Sequence, residues 1–273
     1  MKISVIVPTY KPQEYIWECL DSIKKQTFSY EDFEVILVLN GCDEPYHSQI
    51  KNYINQNFTE YNITFIQTDI GGVSNARNLA LDVAIGEYIT FLDDDDFISP
   101  QYLEELYRQA SPNTVSLCYP YAFNDGKPDI QLQYGLTKVY NKYHKRPNNT
   151  INSKVRKYFS GPCMKLLHRD IIGDRRFDIR FKNGEDSLFM FLVSNKISKL
   201  SFTSNTAIYY RRYRSGSAIM NKRGRKERII NNWNCIREYT RIFIGGKYSL
   251  YFYLSRIAAE LRCIINACIT TRT

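Results

Sequence analysis

Four consecutive aspartates, Asp93, Asp94, Asp95 and Asp96, end the apolar run 86–92 (GEYITFL), so a strand delivers its last residues into a cluster of carboxylates. Adjacent like charges repel unless a cation neutralises them, and a set made only of oxygen donors suits a hard divalent ion, Mg²⁺ or Mn²⁺. The same residues also fit a solvated acidic turn, and DDDD alone does not decide between the two. A second acidic pair, Glu185 and Asp186, opens an amphipathic run that reads as a helix. Carboxylates at such a position serve either as partners of the helix dipole or as acceptors of a hydroxyl proton.

The elements that must carry these groups follow from periodicity. Residues 2–7 (KISVIV) and 33–39 (FEVILVL) are β-branched runs, residues 63–67 form a third, 86–92 a fourth, and 114–119 a further strand. Between them Pro12, Asp43 with Pro45, Gly71 with Gly72, and Ser99 with Pro100 announce helices, the first with Tyr15, Ile16, Cys19, Leu20 and Ile23 on one face. Strand and helix in alternation predict an α/β fold with a mostly parallel central sheet flanked by helices. In such sheets ligands bind beyond the carboxyl ends of the strands, where VPTY, LNGC and DDDD all fall. Residues 120–152 read as an irregular, Tyr- and Asn-containing insertion or a loop on the acceptor side. Helical spacing returns at 186–195, and strands are expected at 198–202 and 207–212.

At 273 residues with 44% hydrophobic content, the chain can bury a substantial core. Its net charge of +9 is divided unequally: residues 1–110 carry 7 Lys/Arg against 18 Asp/Glu, residues 111–273 carry 30 against 10. One half is suited to a cation and the other to anions such as a nucleotide diphosphate or an acidic membrane surface. No helix-turn-helix, zinc-finger or RNP-like pattern accompanies the charge, so nucleic acid is not the expected partner. The seven cysteines show no CxxC pair and no nearby histidine, which argues for reduced thiols in a cytoplasmic protein; His47, His144 and His168 lack ligand spacing and read as structural. No signal peptide or 18-residue apolar span is present in the sequence.

Taken in order, VIVPTY at 5–10, GGVSNARN at 71–78, GEYITFLDDDD at 86–96 and the segment from CMKLLHRD to GEDSLFMF at 163–191 resemble the inverting nucleotide-sugar glycosyltransferases of family 2, of GT-A fold. The resemblance runs in register from about residue 3 to 217. It implies transfer of a sugar from a UDP-sugar to a saccharide acceptor, itself free or lipid-linked, in the assembly of a surface polysaccharide. It places the metal on Asp95 and Asp93, the ribose on Asp93, and the donor also near Asp94, Pro8, Thr9, Tyr10 and Arg77. It makes Asp186 the general base with Glu185 beside it, and brings Lys165, Arg212 and Arg214 toward donor or acceptor. Arginine suits phosphate oxygens because its guanidinium binds them in bidentate fashion.

One position departs from the family. The second strand commonly ends VDDGS, whereas here it reads VLNGC, with Asn40 in place of an acid. An asparagine can accept from uracil N3–H and donate to a uracil oxygen, so uridine stays favoured over guanine. The departure keeps a noncatalytic nucleotide- or glycan-binding role open. A sugar nucleotidyltransferase would want a glycine-rich basic loop after the first strand, and VPTYKPQEY is not one.

The catalytic domain is expected to span 1–220, with a basic amphipathic helical extension over 221–273. Residues 187–273 hold 16 Lys/Arg against 3 Asp/Glu, and Leu250, Leu254, Ile257, Leu261, Ile264 and Cys268 follow helical spacing. The default for such a seam is packing on the catalytic domain; contact with a second copy and peripheral contact with a membrane are the alternatives.

Overall fold

The computed structural model describes residues 1–146, 149–151, 154–214 and 224–269. The first half alternates as expected: β1 (Ile3–Thr9), α1 (Tyr15–Lys24), β2 (Phe33–Asn40), α2 (Tyr46–Asn57), β3 (Asn62–Thr68), α3 (Val73–Val83), β4 (Tyr88–Phe91), a short β5 (Phe97–Ile98) and α4 (Tyr102–Arg108). β1 and β2 are buried at every position, the pattern of parallel strands covered by helices on both faces. Gly86 is required by close approach: a Cβ there would lie 2.4 Å from the Ser4 nitrogen. Its N–H donates to Ser4 Oγ (2.9 Å) and Glu34 Oε1 (3.1 Å), which sets β4 beside β1 in the register Ile3 to Tyr88.

The second half adds β6 (Thr114–Leu117), β7 (Tyr119–Asn124), α5 (Gly135–Tyr143), β8 (Lys165–His168), the single-turn α6 (Arg169–Ile172), α7 (Glu185–Val193), β9 (Lys199–Phe202) and β10 (Ile208–Tyr213). Seven strands form one sheet in the order β3-β2-β1-β4-β8-β6-β9, parallel among the first four, with β8 antiparallel to both neighbours. A three-stranded sheet, β5-β10-β7, stands beside it. This is the GT-A arrangement, and it brings the ends of β1, β2 and β4 to one edge.

Two expectations need correction here. The single strand over 114–119 is broken at Cys118, where the chain leaves the large sheet for the small one, so β6 and β7 are separate. Residues 120–152 are also not an irregular insertion. β7 runs to Asn124 against β10, and α5 buries Thr137, Val139 and Tyr140. Half-buried tyrosines on β7 and interleaved Lys and Asn on α5 hid both periods.

α8 (Arg225–Ile244) and α9 (Leu250–Ile269) form an antiparallel pair against α7. The boundary expected near residue 220 lies outside the described residues. Among the described residues no helix is long and apolar enough to cross a membrane. Cysteines are free throughout the described residues, with Cys19, Cys118 and Cys235 buried and Cys263 and Cys268 exposed.

Candidate active site

β4 ends at Phe91, and the turn that follows is fixed from three sides. Asp93 N–H donates to the Tyr209 hydroxyl (3.2 Å), Asp96 N–H donates to Asp93 O (3.1 Å), and Leu92 N–H donates to Ile6 O (3.0 Å). The four aspartates then part. Asp93 is 42% exposed, while Asp96 is buried and accepts the Arg212 N–H (2.7 Å), pinning β10 to the turn. Asp96 is therefore a structural acid rather than a cleft residue.

Asp94 accepts from Thr9 Oγ1 (2.5 Å), which ties the turn to the end of β1. Burial, together with Asp95 and Asp93, pushes its carboxyl up to about 7. Asp95 accepts from Arg214 Nε (2.8 Å), and Arg214 lies over the Tyr15 ring at 4.5 Å. Burial and the neighbouring Asp93 raise its carboxyl too, with Arg214 opposing. A turn of oxygen donors whose ionised forms are disfavoured by one another fits a divalent cation. Among the described residues the one trio of ligand atoms within 4.8 Å of one another is Asp43, Glu44 and His47, at the start of α2. Asp93 and Asp95 do not belong to such a trio, as expected for an ion that takes most of its shell from phosphate and water.

Across the cleft α7 begins at Gly184, and its first residues are Glu185 and Asp186. Asp186 is joined to the aspartate turn through Arg77 of α3. Nη1 of Arg77 donates to Asp186 Oδ1 (2.6 Å) and Nη2 to Asp93 Oδ1 (2.9 Å). The guanidinium is 3% exposed, whereas the two carboxylates are 31% and 42% exposed and so remain open to solvent. Burial opposes charge on Arg77, but Asp186 and Asp93 outweigh it and hold the group protonated. Asp186 is itself raised by burial, with Arg77 pulling the other way.

The neighbouring Asn78 anchors the loop before α7, donating Nδ2 to Phe177 O and accepting Phe177 N–H, both at 2.8 Å. Phe177 in turn stacks on Phe189 of α7, with ring centroids 3.8 Å apart. The ARN triplet thus supplies both the link between the acids and the brace for the helix that bears one of them. Nothing in the local sequence marks an asparagine inside a helix for that role. Tyr209 and Tyr15 were likewise missed. No alternation marks Tyr209, the single buried position of β10.

The remaining expected residues divide. Tyr10 is 52% exposed at the cleft rim with Lys11 Nζ over its ring at 5.4 Å, while Pro8 and Thr9 are buried in β1. Asn40 does not turn to a ligand. It is 3% exposed, with Nδ2 donating to Thr9 O (2.7 Å) and Oδ1 accepting Gly72 N–H (2.8 Å), so it laces the ends of β1 and β2 to the start of α3. The argument for uracil from its amide fails on this geometry.

Lys165 is withheld from the cleft as well. It is fully buried and donates to the carbonyls of Gly161 (2.6 Å) and Cys163 (2.5 Å), shaping the loop before β8. Arg212 is engaged with Asp95 O (2.8 Å), Asp125 (2.7 Å) and Glu18, and Arg211 with the Tyr134 hydroxyl (2.9 Å). Of these arginines, Arg214 alone among the described residues pairs with the Asp95 carboxylate, whereas Arg212 meets that residue only at its backbone carbonyl. The resemblance also implies that the segment YYRRYRSGS at 209–217 closes over donor or acceptor, and its last three residues lie outside the described residues.

The sheet order, the aspartate turn after β4 and the carboxylate at the start of α7 sit on a GT-A fold. The chain belongs to glycosyl transferase family 2, whose model matches residues 4–176. It is 30% identical to glycosyltransferase GlyA of Streptococcus pneumoniae over 226 residues, covering 79% of this chain and 31% of that protein. It is also 30% identical to minor teichoic acid biosynthesis protein GgaB of Bacillus subtilis over 222 residues, covering 80% of this chain and 24% of that one. The chain thus spans a quarter to a third of the length of these relatives. Among solved structures, Staphylococcus aureus TarS 1-349 in complex with UDP-GlcNAc superposes with a TM-score of 0.75 at 24% identity, covering 97% of this chain and 73% of that one.

Proposed function

We propose that the chain transfers a sugar from a UDP-sugar to a saccharide acceptor with inversion at the anomeric carbon, in the assembly of a surface glycopolymer. The observation that carries this reading is the Arg77 fork, which holds a donor-side acid and a candidate base at fixed separation on the two walls of one cleft. Asp186 takes the proton of the acceptor hydroxyl, and the freed oxygen pair forms the new bond to the anomeric carbon. The bond from that carbon to the phosphate oxygen breaks on the opposite face, and UDP leaves with the electron pair. One displacement inverts the configuration without a covalent intermediate. A base with a raised pKa suits this role, because it holds the transferred proton more firmly than an ordinary carboxylate does. Glu185 adjoins the base at the first position of α7.

Asp93 and Asp95 would hold Mg²⁺ or Mn²⁺, which supplies Lewis-acid charge to the leaving diphosphate. Arg214, paired with Asp95, would supply a cation for the diphosphate. With Asn40 committed to the backbone, support for uridine comes from UDP-GlcNAc in the TarS complex rather than from a base contact in this chain. Support for a glycopolymer acceptor comes from the teichoic acid relative. The experiment is a panel of nucleotide-sugars incubated with the protein, with and without Mn²⁺, read as nucleotide release. Consumption of UDP-sugars alone, dependent on Mn²⁺, is expected. Consumption of none of them, or synthesis of a nucleotide-sugar from nucleoside triphosphate and sugar phosphate, would overturn the reading.

A further inference from the structure

α8 and α9 are bound to each other by the Thr240 and Tyr253 hydroxyls (3.0 Å), by the stacked rings of Phe243 and Tyr253 (4.3 Å) and by Arg225 Nη2 donating to Cys268 O (3.4 Å). Their inner side is packed on the catalytic domain. Tyr239 meets Ser187 Oγ at 2.6 Å, and Arg256 donates to Ser160 Oγ (3.1 Å) and to Phe159 O. Phe252 is fully buried against Phe159 and Phe191.

At about 100° per residue, Leu254 and Leu261 fall roughly opposite the inward direction of Phe252 and Arg256. Their stripe continues through Leu250, Ile265 and Ile269, and all five residues are exposed, by 57, 54, 38, 55 and 62% in the order 250, 254, 261, 265, 269. The expected packing seam therefore points the wrong way for packing: Leu250, Leu254, Leu261 and Cys268 face outward, and only Ile257 and Ile264 are half-buried. On α8, Ile230, Trp233 and Ile244 occupy the side opposite Cys235, Tyr239 and Ile242, and are at least half exposed. The two outer sides adjoin as one face about 30 Å long, far more than scattered surface leucines. Lys226 and Arg237 share the outer side of α8, Lys247 sits in the connecting turn and Arg262 flanks the α9 stripe; all four are exposed.

We propose that this outer face docks on an anionic lipid bilayer, lying in its interface without crossing it. The cations decide the occupant. A core of protein contact is depleted in lysine, whereas an interfacial helix pairs an apolar side bearing Trp and Leu with Lys and Arg that meet acidic headgroups. The platform also adjoins the cleft. Asn231 of α8 donates to Asn183 O (3.2 Å), and Cys235 Sγ lies 2.9 Å from where a Cβ on Gly184 would be, so α8 backs the loop that ends at Glu185 and Asp186. An acceptor anchored in the same bilayer is confined to one plane with that loop. The proposal does not depend on which donor the cleft takes.

The test is co-sedimentation of the full chain with phosphatidylglycerol-containing and pure phosphatidylcholine vesicles at low and high salt, beside a Leu254→Gln/Leu261→Gln/Ile265→Gln variant and a Lys226→Glu/Arg237→Glu variant. Circular dichroism and thermal melts of each variant monitor the fold. Wild type should sediment with the anionic vesicles and be released by salt, since headgroup attraction is screened over about a Debye length. Each variant should melt as wild type does, and the triple variant should lose binding roughly tenfold or more. Equal binding by wild type and the triple variant, or no binding to anionic vesicles at low salt, overturns the proposal. So does a salt-insensitive dimer, seen by light scattering, that the triple variant abolishes.

Discussion

Asp93, in the turn after β4, and Asp186, at the start of α7, are held by the two arms of one buried guanidinium, Arg77 Nη2 at 2.9 Å and Nη1 at 2.6 Å. The acid assigned to the donor and the acid assigned to the acceptor cannot move independently while that fork is intact. Arg77→Met should leave two uncompensated carboxylates and cost about 3–5 kcal/mol in urea unfolding, the usual penalty for breaking a buried pair from one side. Arg77 also lowers the Asp186 carboxyl against the upward push of burial. Its loss should therefore raise that pKa further and move the acid limb of the pH–rate profile toward alkaline pH. An unmoved limb would show that Asp186 does not titrate in the rate.

Asp95→Ala should remove the Mn²⁺-dependent part of UDP affinity while leaving thermal stability near wild type, because Asp95 is bonded to Arg214 and not to the core. Calorimetric titration of UDP with and without Mn²⁺ checks this. Undiminished metal-dependent affinity would remove Asp95 from the metal site.

Asn40→Asp tests the reassignment of that residue. The variant restores an acid common in the family but cannot donate to Thr9 O when ionised, so it should lose about 1–3 kcal/mol of stability. Burial beside a carbonyl raises the folded pKa of the new carboxyl, so the folded state holds its proton more tightly than the unfolded state. Stability should then fall as pH rises from the unfolded carboxylate value through the folded one. A pH series of urea melts reads this directly, and a variant as stable as wild type would return Asn40 to the ligand.

Burial lowers the Lys165 ammonium to about 8. The unfolded chain binds this proton up to about 10.4, so between roughly pH 8 and 10 the unfolded state holds more protons than the native one. This lysine therefore makes wild-type stability rise with pH across that window relative to Lys165→Met. A parallel pH dependence of the two proteins would show that the lysine does not titrate there.

The parallel core was legible because its strands are unbroken apolar runs, and the two acid motifs were legible because they fall at the end of β4 and the start of α7. What residue type could not reveal was direction. An amide at the end of β2 faces a base or a backbone equally well by sequence, and Asn40 chose Thr9 and Gly72. A lysine on a strand can point at the donor or at its own loop, and Lys165 points at Gly161 and Cys163. Periodicity in α9 correctly identified a stripe but carried no information on which side the core lies. Only Phe252, Arg256 and Ala267 mark the inward side, and of these one is charged and one is small. Residues 119–143 were illegible because tyrosine, asparagine and lysine cover a strand and a helix that bury only a few side chains each.

The most direct test of the account is Asp186→Asn, which keeps an oxygen for Arg77 and so preserves the fork while removing the proton acceptor. The measurement is sugar transfer, or nucleotide release from the UDP-sugar identified by the panel, alongside UDP affinity with Mn²⁺. The account predicts unchanged UDP affinity and a rate lower by about 10²–10⁴, the range for a positioned base. Near wild-type turnover by Asp186→Asn, with Glu185→Gln inactive instead, would contradict it.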